Sequence, residues 1–175
     1  GESAPVSHAA ATAFHGRPAD HPGWLLKAPG GMDVLAAALE AEDADISLKL
    51  DLSCAAGGLV FGLDDDGGGL FVELAPGSPA ASLVKWLPER NVRTGQLGYR
   101  REVLQSGIMA APFPAGERAP VRLLRVGPYL EVSVRGEVVL ATFTGERRAG
   151  RWGIWAESGP ARAEDVRLAR MRLPG

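Results

Sequence analysis

Ile46-Ser47-Leu48-Lys49-Leu50-Asp51-Leu52 sets an apolar side chain at every second position. Successive side chains of an extended strand point to opposite faces, so Ile46, Leu48, Leu50 and Leu52 face a core while Ser47, Lys49 and Asp51 face water. On the C-terminal side, Leu59-Val60-Phe61-Gly62-Leu63 and Leu70-Phe71-Val72-Glu73-Leu74 flank Asp64-Asp65-Asp66-Gly67-Gly68-Gly69. Glycines there tolerate positive φ and the carboxylates favour solvent, so the pair reads as a hairpin with a longer loop. Further strands are expected over Ala81 to Trp86, Tyr99 to Gln105, Val121 to Val126, Tyr129 to Val134, Glu137 to Phe143, Trp152 to Glu157 and Val166 to Leu173. Together they make about ten to twelve strands. Asp33 to Ala44 has the intrinsic preference of a helix, but the neighbouring pattern favours a strand there too.

Composition agrees with an all-β fold. The chain has 175 residues, 46% of them hydrophobic, and a net charge of −2, which suits one folded domain with one core. Its 23 glycines and 13 prolines punctuate too often for long helices and suit short strands joined by turns. No apolar run approaches the roughly 20 residues that span a bilayer, and the modest charge gives no electrostatic reason for a nucleic-acid or membrane partner. Charge is nonetheless uneven: residues 1–89 carry 13 acids and 4 bases, residues 90–175 carry 8 acids and 15 bases. Strands exchanged between two stacked sheets would interleave the halves and neutralise them, as in a sandwich.

Residues 1–22 lack an apolar period and read as a flexible arm or linker before a single domain spanning 23–175. His8, His15 and His21 all fall in that arm; without structure to hold them they make no purpose-built metal site. The first residues show no basic stretch followed by an apolar one, so no signal peptide is read in them. The single cysteine, Cys54, excludes an internal disulfide and reads as a small buried side chain.

Three stretches carry a family resemblance. They are Gly57 to Leu63 with its return strand Gly69 to Leu74; Val121 to Val126 followed by Tyr129 to Val138; and Gly150-Arg151-Trp152-Gly153-Ile154-Trp155-Ala156-Glu157-Ser158-Gly159 before Val166-Arg167-Leu168. In this order they resemble the concanavalin A-like lectin/glucanase superfamily, which implies a jelly-roll sandwich of two antiparallel sheets. Arg100-Arg101-Glu102-Val103-Leu104-Gln105 and Tyr129-Leu130-Glu131 are similar to the C-terminal β-sandwich of β-fructosidase-like (family 32-type) glycosidases and to fructan-binding modules. The Asp-Arg-Ser tripeptide common in those domains has no counterpart after Leu74. The resemblance implies an extracellular setting and a carbohydrate partner, fructan or another oligosaccharide, with a catalytic glycosidase domain in the same parent chain.

Inventory removes several chemistries. No histidine follows His21 and no Gly-x-Ser-x-Gly elbow occurs, which disfavours Ser-His-Asp and Cys-His hydrolases. P-loop, dinucleotide and His-Glu-x-x-His motifs are absent from the sequence. Glucanases of the resembled superfamily place acids as Glu-x-Asp-x-x-Glu; Glu40-Ala41-Glu42-Asp43-Ala44-Asp45 has the wrong residue types and reads as a solvated connection. Asp64, Asp65 and Asp66 form the densest acidic cluster, where calcium would find carboxylates but not the alternate spacing that surrounds one ion. A solvated acidic turn is the first expectation, and no cofactor is expected.

Sugar recognition needs an aromatic ring for the apolar CH face of a pyranose or furanose, beside planar groups that fix hydroxyls. On a regular strand Tyr99, Arg101, Val103 and Gln105 share one face and Arg100, Glu102 and Leu104 the other. A bulge or strand end is then needed to bring Arg101 and Glu102 together. Trp155 and Glu157 share a face opposite Trp152 and Ile154, which leaves one tryptophan buried and one available. The expected ligand-binding residues are therefore Tyr99, Arg101, Glu102, Gln105, Trp155 and Glu157, with no catalytic residue. The function expected is a non-catalytic carbohydrate-binding or accessory domain of a glycoside hydrolase; the alternatives are a free-standing hydrolase using paired carboxylates and a structural domain that buttresses a catalytic partner.

Overall fold

The computed structural model describes residues 2–8, 12–14, 24–25, 33–41, 43–64, 66–145 and 150–172. Among the described residues fourteen strands follow one another: β1 (Glu2–His8), β2 (Thr12–Phe14), β3 (Trp24–Leu25), β4 (Asp33–Ala41), β5 (Ala44–Leu52), β6 (Ala56–Leu63), β7 (Gly69–Glu73), β8 (Ala80–Arg90), β9 (Leu97–Ile108), β10 (Ala119–Val126), β11 (Tyr129–Val134), β12 (Glu137–Phe143), β13 (Gly150–Glu157) and β14 (Ala161–Arg172). No helix occurs among the described residues. The first sheet runs β1-β14-β5-β10-β11-β12, with β2 also on β14; the second runs β3-β4-β13-β6-β7-β8-β9, and all the pairings are antiparallel. The protein is a two-sheet jelly-roll sandwich.

The alternation of β5 is realised in its burial. Ile46, Leu48, Leu50 and Leu52 lie in the main core between the sheets, with Ser47 and Asp51 half-buried and Lys49 exposed on the other side. Opposite them, Leu59 and Phe61 of β6, Val72 of β7 and Trp152 and Ile154 of β13 close the same core. Asp33–Ala41 is a strand and not a helix, paired with β13; its helical propensity gives way to a ladder with long-range partners.

The second sheet is apolar on both faces. Val34, Val60, Leu63, Phe71 and Trp155 form a second buried cluster, and Val60, Phe71 and Trp155 belong to it because they alternate with main-core residues along their strands. The uninterrupted run Leu59-Val60-Phe61 is the sequence mark of a strand buried on two sides.

Charge interleaves as the uneven halves require. Acids of the first half meet bases of the second in Glu73–Arg101, Asp45–Arg122 and Glu89–Arg100, while Lys49–Asp165 runs the other way.

Two expectations are corrected. Within the segment read as an arm, Glu2–His8 and Thr12–Phe14 pair with β14; the long β14 would otherwise show a row of free backbone donors and acceptors. His15 and His21 lie outside the described residues. The connection Glu40 to Asp45 is not wholly solvated, since Asp43 is buried and its Oδ1 accepts a hydrogen bond from Gly127 N at 2.9 Å.

Candidate functional site

β8 and β9 form the longest ribbon in the second sheet, and their outward face gathers the polar and aromatic groups of interest. Cross-strand register sets Tyr99 opposite Pro88, Arg101 opposite Trp86, Val103 opposite Val84 and Ser106 opposite Ser82. Glu73 of β7 lies across from Ser82. Arg101 reaches diagonally to Glu73, with Nη2 donating to Oε1 at 2.7 Å and Nε to Oε2 at 3.3 Å. This fork is the bidentate geometry that also suits a pair of vicinal hydroxyls. Ser82 and Ser106 hydroxyls lie 3.3 Å apart in the next row.

The acidic turn positions Tyr99. Asp64 Oδ1 accepts from Asp66 N and Gly68 N, both at 2.9 Å, which closes the turn, and Gly67 takes φ 91°. Tyr99 then donates its hydroxyl to the Asp66 carbonyl at 2.6 Å. A Cβ on Gly67 would sit 3.2 Å from that hydroxyl, so glycine serves here both the backbone angle and the close approach. Burial pushes the Tyr99 phenol above its usual range, and the Asp66 and Asp64 carboxylates push it the same way. The tyrosine therefore remains a neutral donor. Among the described residues no group of three or more His, Cys, Asp or Glu could hold a metal ion, and Asp65 lies outside them.

Beyond Tyr99 the ribbon continues past β7, whose final pairing with β8 is Gly69 with Trp86. An open groove of about 400 Å³ lies there, lined by Glu89, Arg90, Asn91, Gln96, Leu97 and Tyr99. Asn91 Oδ1 accepts from Arg93 N and Thr94 N, and Arg90 Nη1 donates to the Gly95 carbonyl, so the hairpin tip is internally tied. A smaller cleft of about 50 Å³ between the sheets is walled by Phe61, Leu70, Trp86, Leu87, Arg125 and Thr144.

Of the six residues expected at the site, the structure brings Tyr99 and Arg101 together and disperses the rest. Gln105 does not share their face: the ladder passes from Val84 with Val103 to Leu83 with Gln105, and the bulge at Leu104 reverses the alternation. Its amide instead serves the free edge of β12, donating to the Ala141 carbonyl at 2.9 Å and accepting from Ala141 N at 2.7 Å. Glu102 is on the inward side too, across from Lys85. Trp155, expected to be available, is 1% exposed; it packs edge-on against Phe71 and donates Nε1 to the Val72 carbonyl at 2.8 Å. Glu157 is exposed at the end of β13, opposite Ala56. Sequence reasoning did not name Glu73, Ser82, Trp86 and Ser106, which the register sets on the same face as Tyr99 and Arg101, although the alternation of the β7 and β8 strands places Glu73 and Ser82 on the face opposite the core.

Among the described residues no nucleophile stands out. Burial pushes the half-buried Cys54 thiol up, against thiolate formation. Glu73 and Glu157 are two strand spacings and two residues apart, about 12 Å between Cα positions, and Glu73 leans away toward Arg101.

No family model and no curated protein matches the sequence. Among solved structures, the carbohydrate binding module CBM66 from Bacillus subtilis aligns at TM-score 0.64 and 12% identity, over 91% of this chain and 95% of that one. A putative glycosyl hydrolase from Parabacteroides distasonis aligns at 0.61 and 11% identity, covering 93% and 81%. A β-agarase A in complex with oligoagarose aligns at 0.60 and 11% identity, covering 84% and 72%. Identities this low speak to architecture alone: the chain shares the two-sheet β-sandwich fold of these solved structures.

Proposed function

We propose that this protein is a non-catalytic carbohydrate-binding module, with the sugar lying on the outward face of β8 and β9 between Tyr99 and Ser106. The observation that carries the reading is the combination on one solvent-open face of the fixed Tyr99 ring and the Arg101–Glu73 fork beside a polar groove. An aromatic surface with planar hydrogen-bonding partners is complementary to a sugar, which has one apolar and several hydroxylated sides. The fold shared with a carbohydrate binding module supports it. The engagement of both Glu73 carboxylate oxygens by Arg101 supports the non-catalytic part, because a carboxylate held by a guanidinium is kept ionised and is a poor general acid. Fructan is the first ligand to test, on the resemblance of Arg100 to Gln105, and the natural setting for such a module is a glycoside hydrolase.

The test is calorimetric titration against a panel of levan, inulin, agarose and β-glucan oligosaccharides, with turnover followed in parallel. Tyr99→Ala and Arg101→Ala are each expected to weaken binding about 10-fold or more, from a lost ring contact and a lost charged donor. Arg101 and Glu73 form a partly exposed pair, which contributes at most about 1 kcal/mol to folding, so melting should barely move. Absence of binding across the panel contradicts the proposal, and hydrolysis of any member overturns its non-catalytic part.

A further inference from the structure

We infer that the site holds an internal stretch of an extended glycan chain, in a track open at both ends, and not a chain terminus; this rests on the carbohydrate reading above. Tyr99 belongs at once to the hairpin groove and to the row that leads to Arg101. The groove that Gln96 and Arg90 line therefore runs on into the outward face, which carries Tyr99, then Arg101 with Glu73, then Ser82 with Ser106. From Leu97 to Ser106 a strand covers about 30 Å, far more than one sugar ring.

Nothing among the described residues walls either end. At one end the ribbon projects beyond β7, and residues 91–98 are all exposed. At the other, Ser106 and Ile108 are exposed on the edge strand. The enclosed alternative, the cleft between the sheets, holds about 50 Å³, room for a few waters and too little for a terminal sugar. Gln96 lines the groove. Its backbone N and O take part in the hairpin turn, with N donating to Thr94 Oγ1 and O accepting from Asn91 N, so its side chain can be changed without dismantling the tip.

Affinity should then grow with chain length. The probes are fructo- and β-gluco-oligosaccharides from disaccharide to hexasaccharide, titrated into the intact protein. In the series that binds, the hexasaccharide is expected to bind about 10-fold or more tightly than the disaccharide, as added units meet added contacts. Gln96→Ala is expected to weaken the hexasaccharide about 3-fold and the disaccharide by less. Equal affinity for both lengths overturns the inference while leaving the carbohydrate reading in place. Binding of neither series removes that reading for these sugars and the inference with it.

Discussion

Trp155→Ala is expected to destabilise the fold by about 3–5 kcal/mol, a fall of roughly 1–2.5 M in the urea midpoint at an m-value of about 2–3 kcal/mol/M. The indole fills the cluster of Val34, Val60, Leu63 and Phe71 on the outward side of the second sheet. It also crosses the strand between its own and the next. Trp155 of β13 stands opposite Gly58 of β6, and its Nε1 passes over that glycine to the Val72 carbonyl of β7. A Cβ at Gly58 would lie 2.0 Å from Val72 O and 3.4 Å from Trp155 Nε1. Gly58→Ala should therefore be nearly as damaging as loss of the tryptophan, since backbone would have to move and the indole would lose its acceptor. A Trp155→Ala variant that kept its midpoint would show that the tryptophan is not part of the core. One that kept its fold and lost only sugar binding would return Trp155 to the site.

The second large effect is expected where the sheets meet at their edges. Gly107 of β9 lies so close to β12 that a Cβ would stand 2.2 Å from Val139 O. Next to it the Gln105 amide occupies the donor and the acceptor of Ala141. Edge strands with free backbone groups invite pairing with other chains, and here a side chain takes the place of a further strand. Gly107→Ala is expected to cost about 3 kcal/mol, the upper end for a methylene forced into packed structure. Gln105→Ala should cost about 1–3 kcal/mol, because two backbone groups lose their partners. Chemical denaturation measures both. Unchanged midpoints in both variants would mean that β9 and β12 do not close the sandwich in solution.

Why some of this was legible in sequence and some was not follows from particular residues. The period of two in Ile46 to Leu52 reports one-sided burial, so β5 and its neighbours were readable, and the glycine turns separated them. β8 and β9 extend beyond Ala81 to Trp86 and Tyr99 to Gln105, through Pro88 in the one and from Leu97 in the other. In the structure Pro88 lies past the final pairing with β7, where a missing N–H breaks no ladder on that side. The bulge at Leu104 carries no glycine or other local mark, yet it decides that Gln105 turns away from Arg101. Trp155 was misjudged for a related reason: alternation tells which residues share a face, not whether that face is covered. Tyr99 and Arg101 share a face as read because side chains two residues apart on a strand stay together unless a bulge intervenes. Glu73 lay 28 positions away, and only the β7–β8–β9 register brings it to Arg101.

The most direct measurement maps the backbone amide resonances of isotope-labelled protein during titration with the oligosaccharide that binds most tightly in the panel. Shifts are expected to concentrate on residues 97–106, on 82–86, on Glu73 and on the Asp66 turn that anchors Tyr99. A second aromatic surface serves as the internal control: Tyr129 and Phe143, their ring centroids 5.5 Å apart on the first sheet, with the Tyr129 hydroxyl donating to Glu131. Shifts gathered around Tyr129 and Phe143, with β8 and β9 unmoved, would contradict the placement of the site.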